Sequence, residues 1–236
     1  MTPPQPRRSY RILSAILRIF KKKPTIINLN ETIKDQAIFV SNHSAASGPL
    51  TLSLYLPKLF VPWGIHDMCE GYATRWRYLY HVFYQQKLGF TKVRSFFIAT
   101  GFALISKILY RAMQVIPTYV DMRLMETIRL SSEVIDSQTP ILVFPEDSSD
   151  GYHEILRFYN PGFVYFSMQY HRKNEVDLPI YSVYYSKKDK AMIIDRPMYV
   201  QPLLAQGRTK EEIAELFKER ANSLREELLL HLQQNG

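Results

Sequence analysis

Only one cysteine, Cys69, occurs in the 236 residues, so no intramolecular disulfide can form and a reducing compartment is expected. Long apolar runs are also missing. The longest, 95–106, is about a dozen residues between Arg94 and Lys107. That falls short of the roughly 18 residues needed to cross a bilayer, and predicts a buried or interfacial helix rather than a span. The chain has no G-x-S-x-G elbow, Walker loop or dinucleotide fingerprint, which argues against a serine hydrolase and against the common nucleotide folds. His66, Asp67, Cys69 and Glu70 are metal-ligating types, but they lack a recognised zinc spacing and a second half, so no metal is expected. No fixed-period repeat and no low-complexity tract divides the chain.

Acidic residues are absent from the first 23 positions, which hold seven Lys and Arg; the other 213 residues carry only +1 of the +8 net charge. After the proline-rich residues 1–6, Arg8, Arg11, Ser14, Arg18 and Lys22 recur at three- and four-residue steps on one helical face. Ile12, Leu13, Ile16, Leu17, Ile19 and Phe20 fill the rest, and Pro24 ends the pattern. Arg18 interrupts the apolar stretch and no small-residue cleavage site follows, so a secretory signal is not expected. Stacking aromatics are nearly absent around it, and no nucleic-acid partner is expected. A cationic helix with a broad apolar face suits a membrane surface; the alternative is a helix packed on the domain with its cations in solvent.

The remaining pattern interleaves strands and helices. Strands are predicted at 36–41, 60–63, 115–120, 140–145, 178–185 and 191–200. Helices are predicted at 49–56, 72–88, 94–110, 124–136 and 161–171, with a last one opened by the capping box Thr209–Glu212. This organisation predicts a basic amphipathic segment at 1–23 and one α/β domain at 24–236, with a mostly parallel or mixed central sheet flanked by helices. Sites in such sheets lie beyond the carboxyl ends of strands, which singles out the loops 42–48 and 146–151. In the first, His43 follows a buried strand beside Asn42 and among small residues, where an imidazole could take a proton from a hydroxyl. In the second, Glu146, Asp147 and Asp150 follow an apolar strand. They could orient a polar substrate, or simply form a solvated turn.

Taken in order, these short blocks resemble the glycerolipid acyltransferase family, which includes the lysophosphatidic acid acyltransferases. Asn42-His43 is similar to the start of its N-H-x-x-x-x-D block, Phe144-Pro145-Glu146 to the start of F-P-E-G-T-R, and Val115-Ile116-Pro117 to its central I-P-V-x-R block. Asp150-Gly151, Pro161-Gly162-Phe163 and Leu178-Pro179-Ile180 are similar to the later stretches, so the likeness runs from about 36 to 200. The resemblance implies a glycerol-3-phosphate acyltransferase-like fold and a role in phospholipid synthesis. His43 would be general base, and Asn42, Glu146, Asp147, Ser148, Arg123 and Arg157 would contact substrate. There would be no cofactor; acyl-CoA or acyl carrier protein would act as co-substrate, a lysolipid as acceptor, and the cytoplasmic face of a membrane as the peripheral site of action.

Two positions depart from the family pattern. The aspartate five places after the histidine is Gly48, so Asp147, Asp150 or Asp67 is expected to orient the imidazole if the chain is catalytic; otherwise the chain is a weak or inactive relative that binds lipid or acyl carrier. The Gly-Thr-Arg of the third block is Asp147-Ser148-Ser149, which removes a phosphate-clasping arginine and predicts an acceptor that is neutral or carries an amine.

Overall fold

Strand β2 (Ile38–Ser41) is buried at all four positions, as an unbroken Ile-Phe-Val run must be when both sheet faces are covered. The computed structural model of the chain describes residues 8–45, 47–119, 121–147 and 151–234, and the backbone alone for 8–11. Around β2 it builds a seven-stranded sheet in the order β1-β7-β6-β2-β5-β3-β4. The other strands are β1 (Thr25–Asn28), β3 (Val61–Ile65), β4 (Ile116–Thr118), β5 (Ile141–Val143), β6 (Ile180–Ser186) and β7 (Ala191–Met198). All neighbouring pairs are parallel except β6 with β7, which is antiparallel. The protein is thus a single mixed α/β domain, as the alternation of elements predicts. The edge strand β1 had no sequence signal strong enough to separate it from a loop: its ends are exposed and its middle only half-buried.

Alternate residues of each strand serve opposite faces. Ile38, Val40, Ile141, Val143 and Ile180 meet Ile128, Ile135, Phe163, Phe166 and Phe217 on one face. These come from α6 (Leu124–Asp136), α7 (Gly162–Asn174) and α9 (Lys210–Gln234). Phe39, Leu142, Tyr181 and Val183 meet Leu52 and Leu56 on the other, beneath α2 (Ser47–Tyr55). The capping box forms as expected: Glu212 accepts from the Thr209 amide at 2.7 Å while its own amide donates to the Thr209 hydroxyl at 3.2 Å.

Between β3 and β4 lies a separate helical layer with its own cluster around Met68, Leu79, Tyr84, Ala99 and Ala103. It comprises α3 (His66–Cys69), α4 (Tyr72–Arg77), a π-helical stretch (Tyr78–Lys87) and α5 (Lys92–Met113). α5 runs through Arg94 and Lys107, past both ends of the apolar run 95–106, to 22 residues; it is long and apolar enough by composition to cross a membrane, and most of it is not buried in the protein.

The first helix, α1 (Arg8–Phe20), turns part of its polar face to the domain. Its cations do not all face solvent or lipid: Arg18 donates to the Leu54 carbonyl at 2.7 Å and lies over the Tyr55 ring, Ser14 is buried, and Lys21, just beyond the helix, donates to the Ser47 hydroxyl at 2.8 Å. Ile12, Ile16, Ile19 and Phe20 point away from the protein. The side chains of Arg8 and Arg11 lie outside the description.

One long-range ion pair ties α9 to the sheet. Arg220 grips Asp195 of β7 through two bonds of 2.6 and 2.8 Å, and reaches Glu227 at 2.5 Å. Asp195 is buried, so removing its partner leaves a charge with reduced access to water. Arg220→Ala is expected to lower unfolding free energy by about 2–3 kcal/mol in urea titrations, and adding Asp195→Asn to recover part of that loss.

Candidate functional site

The parallel register that places Ile38 beside Ile141 carries the ends of β2 and β5 to the same edge of the sheet. There the two loops singled out by sequence meet: the backbone amide of His43 donates to Glu146 Oε2 at 2.9 Å. Each side of this contact is anchored. Asn42 is buried, and its amide group both donates to the Tyr185 carbonyl (3.0 Å) and accepts from the Tyr185 amide (2.8 Å), continuing the β2–β6 pairing by one side-chain rung. Asn42, grouped by resemblance with the substrate contacts, clamps the loop to β6 with one amide N–H and its amide oxygen. On the other side, Glu146 bridges Tyr159, Asp147 donates its amide to the Phe158 carbonyl at 3.3 Å, and Asn160 donates to the Pro145 carbonyl at 2.8 Å.

The chain leaves His43 through two left-handed residues, Ser44 (φ 45°) and Ala45 (φ 52°). Neither is glycine, so each conformation costs about 1 kcal/mol or more. The turn brings the Ala45 carbonyl back to the imidazole, 2.7 Å from Nδ1. A carbonyl only accepts, so Nδ1 carries the hydrogen and the lone pair lies on Nε2. A backbone dipole thus occupies the place where a carboxylate was expected among Asp147, Asp150 and Asp67. Asp67 faces His66 instead, at 3.7 Å, and Asp150 lies outside the described residues.

Gly48 explains why the missing aspartate has no room. A Cβ at this position would stand 2.2 Å from the His43 carbonyl oxygen and 2.9 Å from its carbon, both backbone atoms that no rotamer change can move. The loop closes because residue 48 has no side chain. The same closure is braced from outside, where the Ser47 hydroxyl contacts the Tyr185 hydroxyl at 3.2 Å and receives the Lys21 ammonium.

The imidazole lies between two rings, stacked on Tyr152 and tilted against Phe144, with centroids 5.0 Å away in each case. Burial lowers its pKa from 6.5 to about 4; the Ala45 carbonyl opposes that shift and the nearby Lys87 ammonium adds to it. Burial also lowers the Lys87 pKa, against the pull of Asp147 and Glu146. Burial raises the phenol pKa values of Tyr78 and Tyr110, helped by Tyr152 and Asp67 at the first and by Cys69, Tyr78 and Tyr152 at the second. At neutral pH the described part of the site combines a neutral imidazole, one lysine and two carboxylates.

Of the remaining sequence candidates, two are exposed and one lies outside the described residues. Arg123 is exposed, bound through Nε and Nη2 to Asp121 (2.7–3.0 Å), and lies over the Tyr119 ring beyond β4. Arg157 is exposed on the segment after the second loop, with its carbonyl facing Lys218. Ser148 lies outside the described residues. Sequence reasoning missed Lys87, Tyr152 and the Ala45 carbonyl. Tyr152 had a signal, since it directly follows Gly151 at the end of a selected loop. Lys87 had none, because it reaches the site from the far end of a helix. Among the described residues no three His, Cys, Asp or Glu side chains gather as a metal site requires.

Two predictions follow from the closed loop and its buried ring. Gly48→Ala is expected to cost about 1–3 kcal/mol by thermal or urea denaturation, and Gly48→Asp more. The His43 ring resonances are expected to titrate near pH 4 by NMR. The unfolded chain binds that proton first, so His43 makes the fold progressively less stable as pH falls from 6.5 to about 4, with no further contribution below. A midpoint near 6.5 would mean that the ring is solvated.

No protein-family model matches the chain and no curated protein sequence matches it, so what the site does has to be read from its own geometry.

Proposed function

We propose that the protein is an O-acyltransferase that moves a fatty acyl group from a thioester, acyl-CoA or acyl carrier protein, to the hydroxyl of a lysophospholipid or related glycerolipid. The observation that carries this reading is the His43 imidazole. It is neutral, its Nδ1 hydrogen is held by the Ala45 carbonyl, and its Nε2 is left as the base, beside Glu146 and at the carboxyl edge of a parallel sheet. Nε2 takes the proton of the acceptor hydroxyl as its oxygen attacks the thioester carbonyl. The tetrahedral intermediate collapses, the C–S bond breaks, and the leaving thiolate takes the proton back from the imidazolium. No acyl-enzyme forms. Glu146 fixes the position of the loop through the His43 amide rather than through the ring.

A carbonyl dipole sets the tautomer without supplying the full negative charge that would stabilise an imidazolium, so transfer is expected to be slow for this chemistry. That feature also favours a second reading, a relative that binds lipid or acyl carrier without turnover. For the acceptor, two carboxylates face one lysine around the imidazole, which favours a neutral or amine-bearing lysolipid over one with a doubly charged phosphate. Such acceptors reside in membranes, and the reaction is placed at the cytoplasmic face, with α1 on the lipid surface.

The test is transfer from a radiolabelled acyl thioester to a lysolipid panel. Wild-type protein is expected to acylate neutral or amine-bearing acceptors, and His43→Ala to lose about 10²-fold or more of that rate. Equal rates in both proteins would remove His43 from the mechanism, and thioester binding without turnover would establish the second reading. A marked preference for lysophosphatidic acid would overturn the acceptor assignment.

A further inference from the structure

Two helices of this protein are inside out. An amphipathic helix on a water-soluble domain turns its large apolar residues inward and its small or polar ones outward. In α5 the buried residues are Ser95, Ala99, Ala103, Ser106 and Ala112, whereas Phe97 (70% exposed), Leu104, Ile105 and Ile108 point away from the protein. α1 repeats the inversion: Ser14 and Arg18 turn to the body, while Ile19 and Phe20 are 78% and 82% exposed. The two helices contact one another. An exposed apolar area of this kind marks an interaction surface rather than ordinary solvent-facing residues.

Charge identifies the occupant. The chain has no Asp or Glu before Glu31, and none from Gly71 to Val120, a stretch that holds seven Lys and Arg. The segments that carry the inverted helices are thus acid-free and hold seven Lys and Arg each, and the rest of the chain is net acidic. Lys92, Arg94, Lys107 and Arg111 are exposed along α5, and Lys22 and Lys23 just beyond α1. Exposed apolar side chains on helices whose own charges are all cationic are complementary to a bilayer bearing anionic headgroups. α5 packs one side on α4 and on the π-helical stretch, and that side cannot face lipid, so the helix lies along the surface instead of crossing it.

We propose that α1 and α5 together form a single bilayer-docking surface, with their outward apolar side chains in the acyl boundary and the flanking cations at the phosphates. This surface does not depend on the acyl-transfer reading, because vesicle binding is read without turnover. Full-length protein is expected to float with vesicles of phosphatidylcholine and phosphatidylglycerol. Replacing Phe97 and Leu104 with Glu, which leaves the inward face of α5 intact, is expected to lower partitioning by about tenfold or more, with circular dichroism and melting unchanged. In a second measurement, a Phe97→Trp protein is expected to show blue-shifted emission on vesicles, quenched by brominated lipid. Flotation of the double variant equal to wild type, or unshifted emission in the Trp protein, would overturn the proposal. So would a dimer in sedimentation that the double substitution turns into a monomer while the wild type fails to float; that result would assign the face to a second copy of the chain.

Discussion

The bond from the His43 amide to the Glu146 carboxylate is the constraint on which the site depends. It joins the ends of β2 and β5, two strands already fixed side by side by Ile38–Ile141 and Val40–Val143 pairing, and so converts a sheet edge into a shaped surface. A carboxylate that accepts a backbone amide in a partly buried place gains a charge-assisted bond and loses freedom to move. Everything downstream inherits that position: the turn through Ser44 and Ala45, the carbonyl under Nδ1, and the ring held between Phe144 and Tyr152. If Glu146 were replaced, the imidazole would still have a partner within its own turn, but the turn would lose its reference to β5.

Gly48 stands where the motif that the sequence resembles has an aspartate, and its surroundings leave no room for one. In the motif, an aspartate five residues after the histidine supplies a negative acceptor to the ring. Here the chain between the two positions is wound so tightly that the acceptor is a backbone carbonyl and residue 48 lies against the histidine's own backbone. The two solutions exclude each other sterically. They are also chemically unequal, since a carbonyl holds the tautomer but offsets little of a positive charge, and burial beside Lys87 pushes the ring further from protonation. The arrangement favours a base that is always unprotonated at neutral pH and only weakly driven to accept a proton.

Much of the fold was legible in the residues because it rests on local patterns. The continuous apolar strands 38–41 and 141–143, the helix over 124–136 and the Thr209–Glu212 cap each carry their signal within a few positions. The exposed edge strand β1 and the short α8 (Val200–Ala205) do not, since neither has an amphipathic period long enough to count. The site was legible only to the level of its two loops. Which groups meet His43 depends on the backbone path through two left-handed residues and on a lysine 44 positions away, and no local pattern encodes either. Which face of α1 the domain takes was open for a related reason: amphipathicity defines two faces without assigning either to the protein, and here the body offers the Leu54 carbonyl, the Tyr55 ring and the Ser47 hydroxyl to cations.

That inversion connects the two ends of the molecule. The α1 segment reaches the His43 loop through consecutive bonds: Lys21 to the Ser47 hydroxyl, Ser47 to Tyr185, and the Tyr185 backbone to Asn42. Ser47 also begins α2 and accepts from Thr51 at its carbonyl, so a displacement of Lys21 acts on the first turn of the helix that seats Gly48 against His43. Polar contacts of this kind hold best where water is excluded, and the outward apolar face of α1 can be shielded from water only by covering it. A surface that covers α1 therefore also protects the bonds behind it. The geometry that holds the imidazole is supported on one side by the sheet and on the other by whatever seals α1 from solvent.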